Sequence, residues 1–269
     1  MPSFRERIKN TLLKCHIWGI TQKTYYVLCV LKQANIIKSF YYSCVIVGLR
    51  HSFKLPVVVC KRVKFRKRGN ISVTAPITPF MLKIGYNDIP AIDDNGLRTV
   101  FYNSGEISFG GPAIVHPGAK LWVEEGARLC FKGHNVIGAN SLIACQKYIE
   151  FGNYSGFSWD CQVFDTDFHY MKDIVGNTIF NKVQEIIIGE DVFIGNHVNI
   201  GKGTKLARGT VVSSWSNLSG SYLKKGENAL IAGNKATVVD TGYYIAHGYK
   251  MYIDDQFARE FNIAQNSEN

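Results

Sequence analysis

The 269-residue sequence has no apolar run long enough to cross a membrane as a helix. The longest run, FYYSCVIVGL at 40–49, is half of the ~20 residues that a spanning helix needs. The first twenty residues, MPSFRERIKNTLLKCHIWGI, lack the apolar core and the small-residue cleavage site of a secretory signal peptide. We therefore expect a cytoplasmic protein.

The cysteines lack the paired spacing of a disulfide framework or a metal site. The seven cysteines form no CxxC pair, are odd in number and mostly stand among apolar neighbours. This pattern predicts buried free thiols in a reducing compartment.

Negative charge is scarce, because 31 lysines and arginines face 21 aspartates and glutamates, a net charge of +10. Such a surface attracts anions such as phosphates, acidic glycans, lipid headgroups or nucleic acid. The densest basic run, CKRVKFRKRGN at 60–70, alternates basic residues with Val63 and Phe65, which fits an extended edge strand. No recognisable nucleic-acid module accompanies it, so we expect no nucleic-acid partner.

Residues 1–55 mix basic and aromatic side chains and are expected to be helical. Two interpretations stay open. The segment is a helical cap packed on the main domain, or it is a surface that contacts the inner face of a membrane peripherally.

From residue 188 the sequence repeats every six residues, as IGEDVF, IGNHVN, IGKGTK, LARGTV and VSSWSN. Each block starts with an aliphatic residue, continues with Gly, Ala or Ser, and has a small or β-branched residue in fifth place. Looser copies occur between 123 and 162. This period predicts stacked units that bury their apolar faces against one another. It excludes an amphipathic helix, because apolar residues six apart drift around a 3.6-residue turn.

The hexads resemble those of the hexapeptide-repeat acyltransferases, whose fold is a left-handed parallel β-helix. The resemblance covers about residues 110–239 well and 56–110 weakly. It implies an all-β fold with an N-terminal helical segment. The expected parts are the helical segment at 1–55, the β-helix domain at 56–240 with a catalytic loop at 164–182, and a C-terminal tail at 241–269.

In that family three hexads form one coil, so residues 18 apart lie above one another. Ile194 is then expected under Val212, and His197 under Trp215. The aliphatic first residues point inward and the fifth residues fill the corners. Cys161, in fifth place, is expected to be a buried corner thiol and not a nucleophile.

The segment VFDTDFHYMKD at 163–173 lies where the repeat is interrupted, since residues 164–182 fit no hexad. We expect this segment to leave the coil, and loops on rigid scaffolds often carry function. If 165–169 is extended, Asp165, Asp167 and His169 project to the same side. A carboxylate that holds one imidazole nitrogen leaves the other free to accept a substrate proton. The alternative is a solvated loop in which Asp165 caps a turn and His169 has no role.

Following a hexad run, DTDFH is similar to the motif of bacterial O-acetyltransferases that modify capsular or lipopolysaccharide sugars. The resemblance implies acetyl transfer from acetyl-CoA to a sugar hydroxyl without an acyl-enzyme. It implies His169 as the general base, with Asp167 as the first choice of orienting acid and Asp165 as the second. It also implies a homotrimer with active sites between neighbours. The alternatives are N-acetylation of an amino sugar and a noncatalytic binding or scaffold protein.

The stretches GEDVFIGNHVNI and ALIAGNKATVV resemble the coenzyme-binding coils of the same family. Matching positions one by one implies contacts to coenzyme A from Phe193, Gly195, Asn196, Ser214, Trp215, Ser219, Gly233, Asn234 and Lys235. Packing against the next subunit is the open alternative for Trp215.

Two basic positions of the family near the coenzyme phosphates are occupied here by Gly220 and Thr237. Lys235 is the nearest candidate to supply the charge, and Lys224 and Lys225 are the others. The phosphate contacts therefore depart from the family pattern.

Zinc enzymes of the γ-carbonic-anhydrase kind share the β-helix and are an alternative, because His116, His134, His169 and His197 are scattered through the repeats. Their close histidine pair is absent, and there is no Cys/His cluster. We therefore expect no metal.

Overall fold

The computed structural model describes residues 24–67, 69–169, 171–172, 179–180, 182–235 and 237–241. The expectations for 1–23 and for the tail beyond 241 lie outside these residues.

Most of the described chain consists of short strands, and successive strands belong to three sheets in turn. The first sheet contains β1 (Val57–Val59), β4 (Leu82–Ile84), β7 (Ala113–Val115), β10 (Asn135–Ile137), β13 (Gly156–Phe157), β18 (Phe193–Ile194), β21 (Val211–Val212), β23 (Ala229–Ala232) and β24 (Thr237–Thr241). The second contains β2 (Val63–Arg66), β5 (Thr99–Asn103), β8 (Lys120–Val123), β11 (Leu142–Cys145), β14 (Gln162–Phe164), β19 (Asn199–Ile200) and β22 (Asn217–Leu218). The third contains β3 (Asn70–Val73), β6 (Glu106–Phe109), β9 (Arg128–Phe131), β12 (Tyr148–Phe151), β17 (Ile186–Ile188) and β20 (Lys205–Leu206).

All strand pairs within these sheets are parallel except β23 with β24. The sheets are the three sides of a left-handed parallel β-helix, as the resemblance implied. We call the turns from first-sheet to second-sheet strands the first corner, and those from second-sheet to third-sheet strands the second corner.

The coils stack in the expected 18-residue register. Ile194 pairs with Val212, and Asn199 pairs with Asn217. The aliphatic first residues of the hexads are buried, and so are the fifth-place residues Val192, Val198, Thr204, Thr210 and Ser216. The hexad pattern therefore positions the core as predicted.

A column of phenylalanines fills the interior of the earlier coils. The ring centroid of Phe131 lies 5.2 Å from that of Phe109 and 5.3 Å from that of Phe151, with nearly parallel planes. All three side chains are buried, and burial stabilises the fold by roughly 1.5–3 kcal/mol for each.

Cys161 is 1% exposed, which confirms the expected corner thiol. Burial raises the pKa of this thiol to about 11, so almost no reactive thiolate exists at neutral pH. The cysteines of the described residues are all free.

The expected N-terminal helical segment is present in residues 24–52 as α1 (24–33), α2 (Ile36–Val47) and α3 (Leu49–Ser52). The Asn35 side chain caps α2 by accepting from the Lys38 N–H at 3.0 Å, and α2 ends just before Gly48, whose φ of 81° favours glycine. Tyr42 of α2 stacks on Phe65 of the first coil at 3.9 Å between centroids. None of the helices in the described ranges is both long and apolar enough to span a bilayer.

Candidate active site

The chain leaves the β-helix at the second corner after β14 and re-enters it at β17. Between them, β15 (Met171–Lys172) and β16 (Ile179–Phe180) pair antiparallel, and Thr166 forms an antiparallel bridge with Val183. The predicted excursion from the coil at 164–182 is therefore present among the described residues, and it contains a short antiparallel strand pair.

Asp165 anchors this excursion to the coil below. Its side chain is 0% exposed, and its carboxylate accepts hydrogen bonds from the backbone N–H groups of Gln146, Lys147 and Tyr148 at 2.8–2.9 Å. Burial raises the pKa of this carboxyl above its ordinary value, against the opposing effect of the three hydrogen bonds. Asp165 caps a turn, so its expected role as second-choice partner of His169 is corrected.

The assumption that 165–169 is extended throughout is wrong, because Phe168 has a φ of 63°. Thr166 turns the chain there, since its hydroxyl accepts from the Phe168 N–H at 2.9 Å and donates to Gln146 at 2.8 Å. The Phe168 ring stacks on Trp122 with 5.5 Å between centroids. The side chains of Asp165, Asp167 and His169 therefore do not share one face of a strand.

Asp167 lies at the second corner, where its carboxylate is paired with the ammonium group of Lys202. The backbone N–H of Asp167 also donates to the Lys182 carbonyl at 2.9 Å. Both side chains of the pair are partly shielded from solvent, at 35% and 21% exposure. The structure thus brings Asp167 together with Lys202 and leaves the expected contact to His169 unformed.

His169 follows these four anchored residues and is exposed. Asp165, Thr166, Asp167 and Phe168 are each held by a hydrogen bond, ion pair or ring contact to the β-helix or to the returning strand. The chain is therefore held up to Phe168, and the side chain of the next residue, His169, is open to a substrate. This arrangement suits a group that must meet a mobile hydroxyl in a defined position.

A column of left-handed residues lines the first corner beside the predicted coenzyme coils. Asn140, Asp160, His197 and Trp215 all have φ between 54° and 64°. The Asn140 amide donates to Asp160 at 2.5 Å, Asp160 lies 3.8 Å from the His197 Nε2, and the His197 ring stacks under Trp215 at 4.2 Å. The predicted stacking of His197 under Trp215 is confirmed.

Most of the predicted coenzyme residues lie at or beside this first corner. Trp215 is 71% exposed and Phe193 is 38% exposed, and Ser214, Gly233, Asn234 and Lys235 are exposed as well. Gly195 is buried against Ser214, where an added Cβ would lie 2.6 Å from the Ser214 nitrogen. The backbone N–H of Trp215 donates to the backbone carbonyl of Asn196 at 3.1 Å, which links the two coils.

Ser219 is separated from the others, because it follows β22 and lies at the second corner. It stands one coil beyond Gly201 and Lys202. The predicted set therefore falls on two corners: Ser219 joins the side that carries Asp167, and the remaining coenzyme residues line the other.

The basic candidates near the coenzyme end are all at the surface. Lys235 lies in the turn between β23 and β24, and Lys224 and Lys225 lie in a 3-10 helix at Leu223–Lys225. Their exposure leaves each of them able to reach a phosphate as a flexible point charge.

No group of three or more His, Cys, Asp or Glu side chains in the described parts of the chain is arranged to hold a metal ion. His116 is 3% exposed and its Nδ1 lies 3.1 Å from the Tyr86 carbonyl, and burial lowers its pKa. It is part of the core.

Sequence reasoning missed Lys202, which lies 35 residues from its partner. The excursion hides the relation, because the register that pairs Val163 with Ile200 places Asp165, and not Asp167, level with Lys202. Trp122, which supports Phe168, had no distinguishing signal in the sequence.

No protein-family model matches the sequence, and no curated protein sequence matches it. Among solved structures, the chain is similar to OatWY, a polysialic acid O-acetyltransferase, at 23% identity and a TM-score of 0.39 over 76% of this chain and 93% of that one. It is similar to NeuO, a polySia-specific acetyltransferase, at 16% identity and a TM-score of 0.33 over 75% and 98%. It is similar to AntD, an N-acyltransferase from Bacillus cereus in complex with dTDP and 3-hydroxybutyryl-CoA, at 15% identity and a TM-score of 0.39 over 68% and 79%. These similarities concern the fold alone.

Proposed function

We propose that the protein is a cytoplasmic sugar O-acetyltransferase that moves an acetyl group from acetyl-CoA to a hydroxyl of bacterial capsule or lipopolysaccharide. The observation that carries the proposal is the anchored segment 165–168, which holds the chain up to the residue before His169, whose side chain is exposed beside the β-helix. Preorganisation of this kind is what acid–base catalysis on a bound hydroxyl requires.

In the proposed reaction the His169 imidazole removes the hydroxyl proton as the sugar oxygen attacks the thioester carbonyl. The carbon–sulfur bond breaks, and the proton passes from the imidazolium to the departing sulfur. The products are an acetyl ester and the free coenzyme thiol, with no acyl-enzyme. In this scheme Asp165 fixes the start of the segment 165–168. The Asp167–Lys202 pair positions the chain two residues before His169.

The first corner suits coenzyme A chemically. Phe193 and the indole of Trp215 offer exposed apolar surface for the pantetheine arm or the adenine ring, and Ser214 offers a hydroxyl beside them. Lys235 offers a cation for a phosphate. We therefore propose these residues as the acetyl-CoA contacts.

The two corners lie at opposite ends of the second-sheet strands. Within one chain, the proposed base and most of the proposed coenzyme residues are therefore separated by the width of this sheet. A homotrimer would place the second corner of one chain beside the first corner of its neighbour and form a complete site in the groove between them. Sedimentation measurements should give three times the chain mass of 30.2 kDa. A monomer with full transferase activity would contradict the shared site.

The ester product distinguishes this proposal from N-acetylation of an amino sugar. Alkaline hydroxylamine should release the transferred acetyl group from the glycan, because it cleaves an oxygen ester under conditions that leave an amide intact. A hydroxylamine-stable product would show transfer to nitrogen and would contradict the proposed acceptor.

Loss of the Asp167–Lys202 pair should lower turnover about tenfold, because each partner holds the loop that carries His169. Asp167→Asn and Lys202→Met should have similar effects, and the double variant should be no worse than either alone, since the pair acts as a unit. Unfolding temperature and acetyl-CoA affinity should remain unchanged, as a partly exposed ion pair contributes only about 0–1 kcal/mol.

Lys205→Met is the matched control for this test. Lys205 forms a comparable ion pair with Glu185, 2.7 Å away, and not with Asp167. Wild-type turnover is expected for the control. Additive losses from Asp167→Asn and Lys202→Met would contradict the positioning role.

Lys235→Ala should weaken acetyl-CoA binding more than it weakens binding of an acetyl-dephospho-CoA thioester, because the variant removes a charge that meets the extra phosphate. The expected difference is about fivefold or less, given that the side chain is exposed. Titration calorimetry with both thioesters measures it. Equal losses, or no loss, would assign the phosphate to Lys224 or Lys225.

A further inference from the structure

Helix α2 is oriented with several of its large apolar side chains toward solvent. On the side that faces β1 it carries Ser39 and Ser43, which are both 0% exposed. On the opposite side Ile37 is 84% exposed, Val45 62% and Tyr41 60%. A helix on a protein surrounded by water normally has the reverse arrangement.

The serines have a structural reason to face inward. The Ser39 hydroxyl accepts from the Val59 N–H at 2.9 Å, and the Ser43 hydroxyl accepts from the Val57 N–H at 3.2 Å. The two hydroxyls therefore complete the hydrogen bonding of the edge strand β1. Small polar residues occupy the centre of the inner face, and several bulky apolar residues of α2 face outward, while Tyr42 and Ile46 pack partly buried against the core.

The apolar surface continues beyond α2. Phe40 packs edge-on against Phe53 at 5.7 Å between centroids, and Leu49 is 63% exposed. Within the described residues, ten of the fifteen exposed large apolar side chains lie between 25 and 53. We call the six residues Ile37, Phe40, Tyr41, Val45, Leu49 and Phe53 the outer helix face.

The charge around this face has one sign. Residues 24–87 contain eleven lysines and arginines and no aspartate or glutamate. Arg50 and Lys54 lie within or next to the outer helix face and are exposed, and Lys61, Arg62 and Lys64 of the adjoining coil are exposed too. An apolar patch with a basic rim matches the apolar interior and anionic headgroups of a lipid bilayer.

We propose that the outer helix face docks on an anionic membrane surface, with α2 lying in the interface and its basic neighbours contacting lipid headgroups. At twelve residues, α2 is about 18 Å long, which suits an interfacial position. The apolar side chains enter the headgroup–acyl boundary, and the serine face stays on the β-helix. The proposal is independent of the acetyl-transfer chemistry, because it rests on residues outside the candidate active site.

Co-sedimentation of the full chain with vesicles tests the proposal. The protein should bind vesicles of phosphatidylcholine mixed with phosphatidylglycerol, and bind pure phosphatidylcholine vesicles more weakly. The combined variant Ile37→Ser, Tyr41→Ser and Val45→Ser should lower partitioning at least about tenfold. Arg50→Gln and Lys54→Gln should each lower it roughly fivefold at low salt, from about 1 kcal/mol per basic residue.

Tyr154→Ser is the matched control, because Tyr154 is a 46% exposed aromatic residue of the β-helix far along the chain from α2. It should leave vesicle binding unchanged. Thermal unfolding of the triple variant should match wild type, since the replaced side chains are exposed.

Binding to neither kind of vesicle, or equal binding by the triple serine variant, would overturn the proposal. The other outcome is that the wild-type protein does not bind vesicles and the triple variant has a lower oligomeric mass than wild type in sedimentation. In that case the outer helix face is an interface between copies of the chain, and the membrane proposal fails. Each readout is separate from acetyl transfer, so failure here leaves the proposed enzyme activity unaffected.

Discussion

Replacement of His169 by alanine should lower the turnover of acetyl transfer at least ~10²-fold, the lower end of what a general base contributes. The reason is that the sugar hydroxyl is a poor nucleophile until its proton is removed, and the variant lacks the imidazole that removes it in the proposed reaction. Acetyl-CoA affinity should change little, because the proposed coenzyme contacts lie at the first corner.

The fold of the His169→Ala protein should be unaffected, since the side chain is exposed and packs on nothing that the structure describes. His134→Ala is the matched control. His134 is also an exposed histidine, stacked on Tyr154 at 4.4 Å, and its loss should leave turnover unchanged. Near wild-type turnover in a folded His169→Ala protein would refute the role of the imidazole.

Replacement of Asp165 by asparagine should destabilise the protein by about 3 kcal/mol, because an amide cannot accept all three backbone hydrogen bonds in the carboxylate's place. One amide oxygen can satisfy one side of the turn, and the amide NH₂ group then faces backbone N–H donors. A loss of this size lowers the thermal midpoint by roughly 6–12 °C for a domain of this length.

The matched control is Asp191→Asn, which makes the same chemical change at an exposed carboxylate paired with Arg208. That change should alter stability by no more than about 1 kcal/mol. Thermal unfolding of the two variants separates a buried anchor from a surface charge. If both lose the same stability, Asp165 does not hold the excursion to the coil.

Most of the β-helix could be predicted from the sequence, because its period is short and the first and fifth positions of each hexad have fixed places in the coil. Val192 and Ser216 are small because they sit in corners, and Ile194 is aliphatic because it faces the interior. Cys161 followed from the same rule. The handedness came from the family resemblance, since hexads alone are compatible with stacking of either hand.

The candidate site was predicted less well, because it depends on contacts across an irregular excursion. The alternation rule failed at Phe168, where a threonine hydroxyl turns the backbone. It therefore could not show that Asp165 points into the coil or that Asp167 meets Lys202. Both facts require the register across the break, which periodicity upstream does not supply.

The outer helix face was also beyond the sequence pattern. The open choice between a helical cap and a membrane surface assumed that one excludes the other. The structure places Ser39 and Ser43 against β1 while Tyr41 and Val45 face outward, so the same helix is a cap on one side and an exposed apolar surface on the other.

Release of the coenzyme thiol from acetyl-CoA, measured with and without neutral, amino and acidic glycans, tests the proposed enzyme. We expect wild-type protein to release thiol in proportion to an added glycan, and His169→Ala to release at least ~10²-fold less with the same glycan. Thiol release that no glycan stimulates, or that is equal in the two proteins, would contradict acetyl transfer by His169.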